Sequence, residues 1–195
     1  MGGVNPVTLE GAVVRLEPLA PAHVEGLAAA GLDPELWRVT TTCLTSIEDV
    51  RAYVDAALAD ADSGYALPFC TIHRPSGAIV GSTRFGNYDA ANRRVEIGWT
   101  WIARPWQRTA VNTEAKYLML RHAFEALGAI RVELKTDLLN TPSQRAIARI
   151  GATREGVLRS HMIVRGGRVR DTVYFSIIAP EWPAVKTSLE RMLAR

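Results

Sequence analysis

The stretch Arg104-Pro105-Trp106-Gln107-Arg108-Thr109-Ala110-Val111-Asn112-Thr113 gathers the groups that could do chemistry in this sequence. Residues 111–127 have the spacing of a long helix that ends at Gly128, so Gln107 to Thr113 form its N-terminal approach. A helix N-terminus presents unpaired N–H groups and the positive end of the helix dipole, and can hold a phosphate. Arg104 and Arg108 add formal charge beside it. On spacing alone, an ordinary helix start with two solvated arginines explains the same residues, because neither a Walker motif nor a Gly-x-Gly-x-x-Gly is present.

Other chemistries are poorly supplied. No Gly-x-Ser-x-Gly elbow supports a serine nucleophile. Cys43 and Cys70 lie far apart, outside any Cys-x-x-Cys or zinc spacing and away from residues 104–113. They read as buried or incidental thiols of a reducing compartment. His122 and His161 stand alone, and no metal is expected. The net charge of +3 comes without a Lys/Arg run, which argues against nucleic acid and suits a phosphate-bearing ligand as well as a solvated surface. No apolar run approaches the ~20 residues needed to cross a bilayer. Met1 to Pro6 lacks a basic-then-apolar pattern, and Pro6 stands where a myristoylation signal needs Ser or Thr. A cytoplasmic protein without membrane attachment is therefore expected.

The elements that must position the 104–113 stretch follow from turn and capping residues. A first strand is expected over 12–17, closed by Pro18, and a short helix over 21–30. Asp33-Pro34 caps a further helical turn. Thr45-Ser46-Ile47-Glu48 matches a capping box that opens a helix to about Asp60. Runs 66–73, 78–86 and 93–102 read as an antiparallel meander. In the third, Val95, Ile97, Trp99 and Trp101 alternate against Arg94, Glu96, Gly98 and Thr100. With the long helix and a strand over 130–137, residues 93–137 become a βαβ unit with parallel strands. Thr141-Pro142-Ser143-Gln144 reads as a second capping box, 161–165 and 168–178 as a hairpin around Gly166-Gly167, and a last helix follows Pro180. The expected architecture is one α/β (α+β) domain over 1–195. It has a mixed central sheet of about seven strands, mostly antiparallel with a central parallel pair, and helices on both faces. Ligands of open α/β sheets bind beyond the carboxyl ends of parallel strands. That places Trp101-Ile102-Ala103 and Asp137 to Asn140 on either side of the helix start.

Arg104 to Lys116 resembles the acetyl-CoA pyrophosphate loop of the GNAT N-acetyltransferases, in the branch related to RimJ/RimL ribosomal-protein N-terminal acetyltransferases. Lys135-Thr136-Asp137-Leu138-Leu139-Asn140-Thr141-Pro142-Ser143 resembles that branch's Asn-x-x-Ser element. Ile150-Gly151-Ala152, Arg170-Asp171-Thr172-Val173-Tyr174 and the opening Leu9-Glu10-Gly11 also fit, so the resemblance runs from about residue 8 to 192. One departure stands out. The family's loop usually reads Arg/Gln-x-x-Gly-x-Gly/Ala, whereas Pro105, Arg108 and Ala110 occupy those positions here. Glycine permits a close backbone approach to pyrophosphate; arginine keeps its N–H and adds a bidentate phosphate donor.

The resemblance implies direct attack of a primary amine on the thioester of acetyl-CoA. The amine belongs to a protein N-terminus, an amino acid or a small molecule. Glu96 becomes the candidate base, against its reading as a strand glutamate paired with Arg84, Arg93 or Arg94. Backbone N–H groups at Trp101 or Ile102 become oxyanion donors. Gln107, Arg108, Thr109, Ala110, Val111, Asn112 and Thr113 become pyrophosphate contacts. Ser143 becomes the donor to the leaving thiolate and Asn140 an orienting group for pantetheine, although helix capping alone accounts for both. The acceptor is placed among the N-terminal helices (21–60) and the final hairpin (161–175), where Trp37 and Trp99, with Trp106, are pocket candidates or simply core. The resemblance also admits a homodimer through the C-terminal strands. A non-catalytic CoA-binding or interaction module on the same fold remains the alternative, supported by Arg108.

Overall fold

The computed structural model describes residues 5–194, so the reading of Met1 to Val4 as free of a targeting signal lies outside the described residues. Eight strands form one sheet in the order β1-β2-β3-β4-β5-β6-β8-β7. They are β1 (Leu9–Glu10), β2 (Val14–Pro18), β3 (Ala66–His73), β4 (Ala78–Asp89), β5 (Arg94–Ile102), β6 (Arg131–Asp137), β7 (Thr153–Ile163) and β8 (Val169–Ile178). Every pairing is antiparallel except β5 with β6. The strand beyond the expected seven is β1, a two-residue piece too short to carry a periodic signal. The hairpin also begins eight residues earlier than expected, because β7 is an exposed edge strand whose polar residues carry little alternation.

Helices α1 (Val24–Gly31) and α2 (Ile47–Asp62) cover one face through a core of Leu27, Trp37, Val50, Val54 and Trp101. On the other face, α3 (Ala110–Arg121), α4 (Thr141–Arg149) and α5 (Trp182–Leu193) enclose Phe69, Phe85, Leu118, Ile147, Phe175 and Leu189. The last turn of the long helix, His122–Ala126, widens to π geometry before Gly128 ends it. No helix among the described residues is long and apolar enough to cross a membrane.

Two capping expectations shift by one residue. The cap of α2 is Ser46, which exchanges hydrogen bonds with Asp49, while Thr45 donates to the same carboxylate; Glu48 is not the reciprocal partner. The cap of α4 is Asn140, whose Oδ1 accepts from Ser143 N at 3.1 Å, so Pro142 and Gln144 stand one place further into the helix than a Thr141 cap would put them. Asn and Ser are the stronger caps at these ends, and Thr is the weaker neighbour in both cases.

Helix α3 is anchored at Glu114. Its buried carboxylate accepts from the backbone N–H of Ala12 (2.9 Å), Val13 (2.7 Å) and Val14 (2.6 Å), donors of the β1–β2 turn that would otherwise be unpaired. The turn comes so close that a Cβ on Gly11 would lie 2.4 Å from the Glu114 carboxyl carbon, which is why glycine is needed there.

Candidate active site

The parallel strands part after a short contact. Pairing of β5 with β6 runs only from Arg94↔Arg131 to Glu96↔Glu133, although β5 continues to Ile102 and β6 to Asp137. Six residues of β5 and four of β6 therefore lie beyond the last pair, Glu96↔Glu133, and form the two sides of a wedge. Its mouth is framed by the start of α3 and by the Asp137–Asn140 turn.

A bulge in β5 sets what faces the wedge. The β4–β5 register shifts between Ser82 and Arg84, and Trp99 takes φ 49°. The expected alternation is thereby broken. Val95, Ile97 and Ile102 pack toward α3, whereas Trp101 packs into the α1–α2 core against Trp37, ring centroids 5.4 Å apart. Trp99 lies over Gly86, with the Arg84 guanidinium 5.6 Å from its ring. Trp37 is core, and Trp106 sits beside His73 at the end of β3.

Glu96 is 3% exposed. Its Oε2 accepts from Asn87 Nδ2 and pairs with Lys135 Nζ at 2.8 Å, and Tyr65 donates in turn to Asn87. None of the arginines first considered as partners reaches it; Arg94 binds Asp89 and Glu133, and Arg84 binds Asp60. Its Oε1 has no hydrogen bond among the described residues and lies over Gly98, where a Cβ would stand 2.8 Å away. One oxygen is thus held while the other is left beside the bulge. Burial opposes the charge on Lys135, but attraction to Glu96 more than offsets it and holds the ammonium above its ordinary pKa.

The loop residues divide by role. Gln107 turns inward, donating to Ile102 O at 2.9 Å, and so braces the loop on the end of β5. Arg104 pairs with Asp33 at 3.4 Å, and both line an open depression of about 570 Å³ with Pro105, Gln107 and Arg108. Thr109 caps α3, accepting from Val111 N and donating to Trp106 O. Ala110 is exposed, whereas the Val111 side chain is core, so only its backbone can face a ligand. Asn112 Oδ1 is buried without a partner. Thr113 accepts from Arg149 Nη2 at 2.8 Å, tying α3 to α4 across the wedge. Arg108 adopts φ 60°. That is the left-handed conformation glycine takes at no cost, so the loop keeps a glycine-type turn with an arginine in it.

At the other lip, Asn140 Oδ1 is spent on capping, while its Nδ2 and Ser143 Oγ have no hydrogen bond among the described residues. Ile102 pairs with Gly81 and Trp101 with Ser82.

Sequence reasoning missed several residues. Asn87, Tyr65 and Lys135 come to Glu96 from other strands, and no local spacing signals them. Lys116, 5% exposed, reaches Thr100 Oγ1 at 2.6 Å and Thr83 Oγ1 at 3.3 Å with no carboxylate at hand, and burial pushes it down to about 7. Cys70 is buried and its thiol is pushed up to about 12, mainly by burial, which leaves it unreactive.

Residues 14–153 match the acetyltransferase (GNAT) domain family. The crystal structure of a GCN5-related N-acetyltransferase from Brucella melitensis superposes with a TM-score of 0.91 at 32% identity, covering 98% of this chain and 87% of that one. Mycobacterium smegmatis RimJ in complex with CoA-disulfide superposes with a TM-score of 0.77 at 26% identity, covering 99% and 94%. The Bacillus subtilis protein YdaF, named as a candidate ribosomal N-acetyltransferase, is 34% identical over 110 residues, and the chain spans 59% of its length and matches over 56% of its own. The family match over residues 14–153 and the near-full-length structural relative agree, and the chain belongs to the GNAT family of N-acetyltransferases.

Proposed function

We propose that the whole chain acts as a single cytoplasmic enzyme domain that transfers acetyl from acetyl-CoA to a primary amine. The observation that carries this reading is the wedge between β5 and β6, with Glu96 buried on one side and the start of α3 at its mouth. The residues fit a CoA chain. Asn112 Oδ1 is a buried acceptor without a donor, and Ser143 Oγ and Asn140 Nδ2 stand free at the opposite lip. The N–H groups of this loop that the Thr109 cap leaves free and the Arg108 guanidinium would take the pyrophosphate, with Thr113 holding α4 in place through Arg149.

In the transfer, the amine nitrogen forms a bond to the thioester carbonyl carbon, the carbon–sulfur bond breaks, and the amine's proton must leave. Glu96 would take that proton on Oε1, directly or through one water, since Oε2 is already held by Asn87 and Lys135. Backbone N–H at Trp101 or Ile102 would face the developing oxyanion from the side of β5 that β6 leaves unpaired beyond Glu96↔Glu133. Ser143 would donate to the departing thiolate. Arg108 does not favour the non-catalytic alternative, because the loop retains its turn.

Isothermal titration with acetyl-CoA and CoA, followed by a panel of amines, tests this reading. Micromolar binding with turnover of at least one amine is expected. Absence of binding at millimolar ligand removes the enzyme reading. A homodimer would form at the free β7 edge, where Leu158, Met162 and Ile163 are exposed, and sedimentation velocity checks it.

A further inference from the structure

The acceptor side of the wedge carries a charge that the protein leaves short of a partner. On the sheet face turned away from α3, β6 presents Glu133, Lys135 and Asp137, and β8 presents Arg170, Thr172 and Tyr174 alongside them, in register Lys135↔Tyr174 and Asp137↔Thr172. Helices α1 and α2 pack mainly over β3 and β4, and α4, which touches β6 and β8, belongs to the α3 side through Ile147. Glu96 belongs to the same face through Lys135.

Arg170 stands out there. Its side chain is 9% exposed and its Nε is buried with no hydrogen-bond partner. The nearest carboxylate oxygen, Asp137 Oδ2, is 3.9 Å from that Nε, outside hydrogen-bond range. Asp137 is already engaged. Arg168 donates to the same Oδ2 and Leu139 N donates to Oδ1 at 2.9 Å. One carboxylate therefore serves two guanidinium groups, and the trio of Asp137, Arg168 and Arg170 keeps one uncompensated positive charge. Glu96 and Lys135 cancel each other beside it. Burial lowers the pKa of Arg170 despite the charge of Asp137. Beyond the buried Nε, the two Nη groups of Arg170 make no hydrogen bond among the described residues and are not enclosed as Nε is, and a planar carboxylate is the group whose geometry such a fork meets.

We propose that Arg170 reads a carboxylate on the acceptor, so that the substrate of this site is an amine that also carries a carboxylate. The proposal rests on the transferase reading above and narrows its acceptor class. Glu96 would receive the proton of the amine while Arg170 fixes the other end of the same molecule. Two sources share this chemistry. One is the α-carboxylate of a free amino acid; the other is an acidic side chain next to the N-terminus of a peptide.

The test uses matched acceptors, Ala-Glu-amide against Ala-Gln-amide, and L-alanine against L-alaninamide with rates compared per unprotonated amine, because amidation lowers the pKa of the α-ammonium. Initial rates are followed by release of CoA thiol. The wild-type chain is expected to prefer the acid member of at least one pair by roughly 10- to 100-fold in kcat/KM, the range of a charged hydrogen bond; the pair that shows the preference identifies the source. Arg170→Gln is expected to erase it by raising KM for the acid while kcat and the amide are little changed. Arg170→Lys should restore part of it. Equal use of acid and amide by the wild-type chain overturns the proposal. So does an Arg170→Gln variant that loses kcat equally with every acceptor, which would make Arg170 a structural or transition-state group. Should Arg170→Gln fail to fold, the wild-type preference and its weakening in Arg170→Lys decide. If acetyl-CoA binds and no amine turns over, the transferase reading fails by itself. In that case titration of the four acceptors into CoA-saturated protein decides the carboxylate question, and selective binding of an acid is required.

Discussion

Replacing Lys116 with methionine should stabilise the protein, and more at low pH than at high. Lys116 lies wholly inside the domain between α3 and the β5 bulge, with only the hydroxyls of Thr83 and Thr100 for company. Burial pushes its pKa from 10.5 to about 7. Each unit corresponds to 1.36 kcal/mol, so holding the charged form inside costs on the order of 5 kcal/mol when both folded and unfolded chains are protonated. The sign follows from proton counts. Between pH 7 and 10.5 the unfolded chain binds the proton more often than the folded one, so stability rises with pH across that window; below pH 7 the whole penalty is present. Integrated from pH 6 to pH 9, the gain is roughly 2–3 kcal/mol. Methionine has similar length and no charge, and Thr83 and Thr100 keep their mutual contact at 2.8 Å. Urea unfolding of both chains at pH 6 and pH 9 should show a variant advantage that shrinks by that amount at the higher pH. Taking the difference between the chains cancels groups that titrate in both. A difference that stays constant between the two pH values, or a variant less stable at pH 6, would show that the lysine is hydrated or paired and refute the reasoning.

Three further outcomes follow from the site. Arg108→Gly removes the left-handed strain at φ 60° and should raise stability by about 1 kcal/mol in thermal melts, while acetyl-CoA binding weakens several-fold and the loss fades with salt; tighter binding would mean that the arginine obstructs the loop. Glu96→Gln should cut kcat by roughly 100-fold near neutral pH, with the gap closing as pH rises and the amine deprotonates unaided; a pH–rate profile parallel to the wild type would remove Glu96 from the base role. Asn140→Ala gives up the cap on Ser143 N and should cost about 1 kcal/mol. A weakening of CoA affinity beyond that stability loss is expected in calorimetry, and unchanged affinity would leave Asn140 a capping residue alone.

Local signals were legible where one residue decides the backbone. Pro34, Gly128 and the Gly166-Gly167 turn punctuate the chain where the structure breaks, and the helix start at residues 109–111 follows from the residue order alone. The β5 bulge was not legible. Trp99 and Trp101 continue a clean alternation with Val95 and Ile97, and hydrophobic periodicity favours a straight strand. The tertiary contacts override it, because Trp101 fits the α1–α2 core beside Trp37 and Gly31, where a Cβ on Gly31 would stand 2.9 Å from the Trp101 ring. A β-branched or small residue at 101 could not fill that gap from across the sheet.

The same limit applies to the surroundings of Glu96 and Arg170. Glu96 was visible as a strand carboxylate, but what makes it distinctive is that one oxygen is occupied by Asn87 from β4 and Lys135 from β6 while the other is left at the bulge. Arg170 was visible as part of a strand, but its unused donor follows from Asp137 being taken by Arg168. Both facts depend on strands far apart in sequence meeting in one register. The first follows from β4 and β6 flanking β5, and the second from the pairing of β6 with β8, from Arg131↔Ile178 to Asp137↔Thr172. The chemistry of this site is therefore set less by its motif residues than by which neighbours the sheet register leaves unsatisfied beside them.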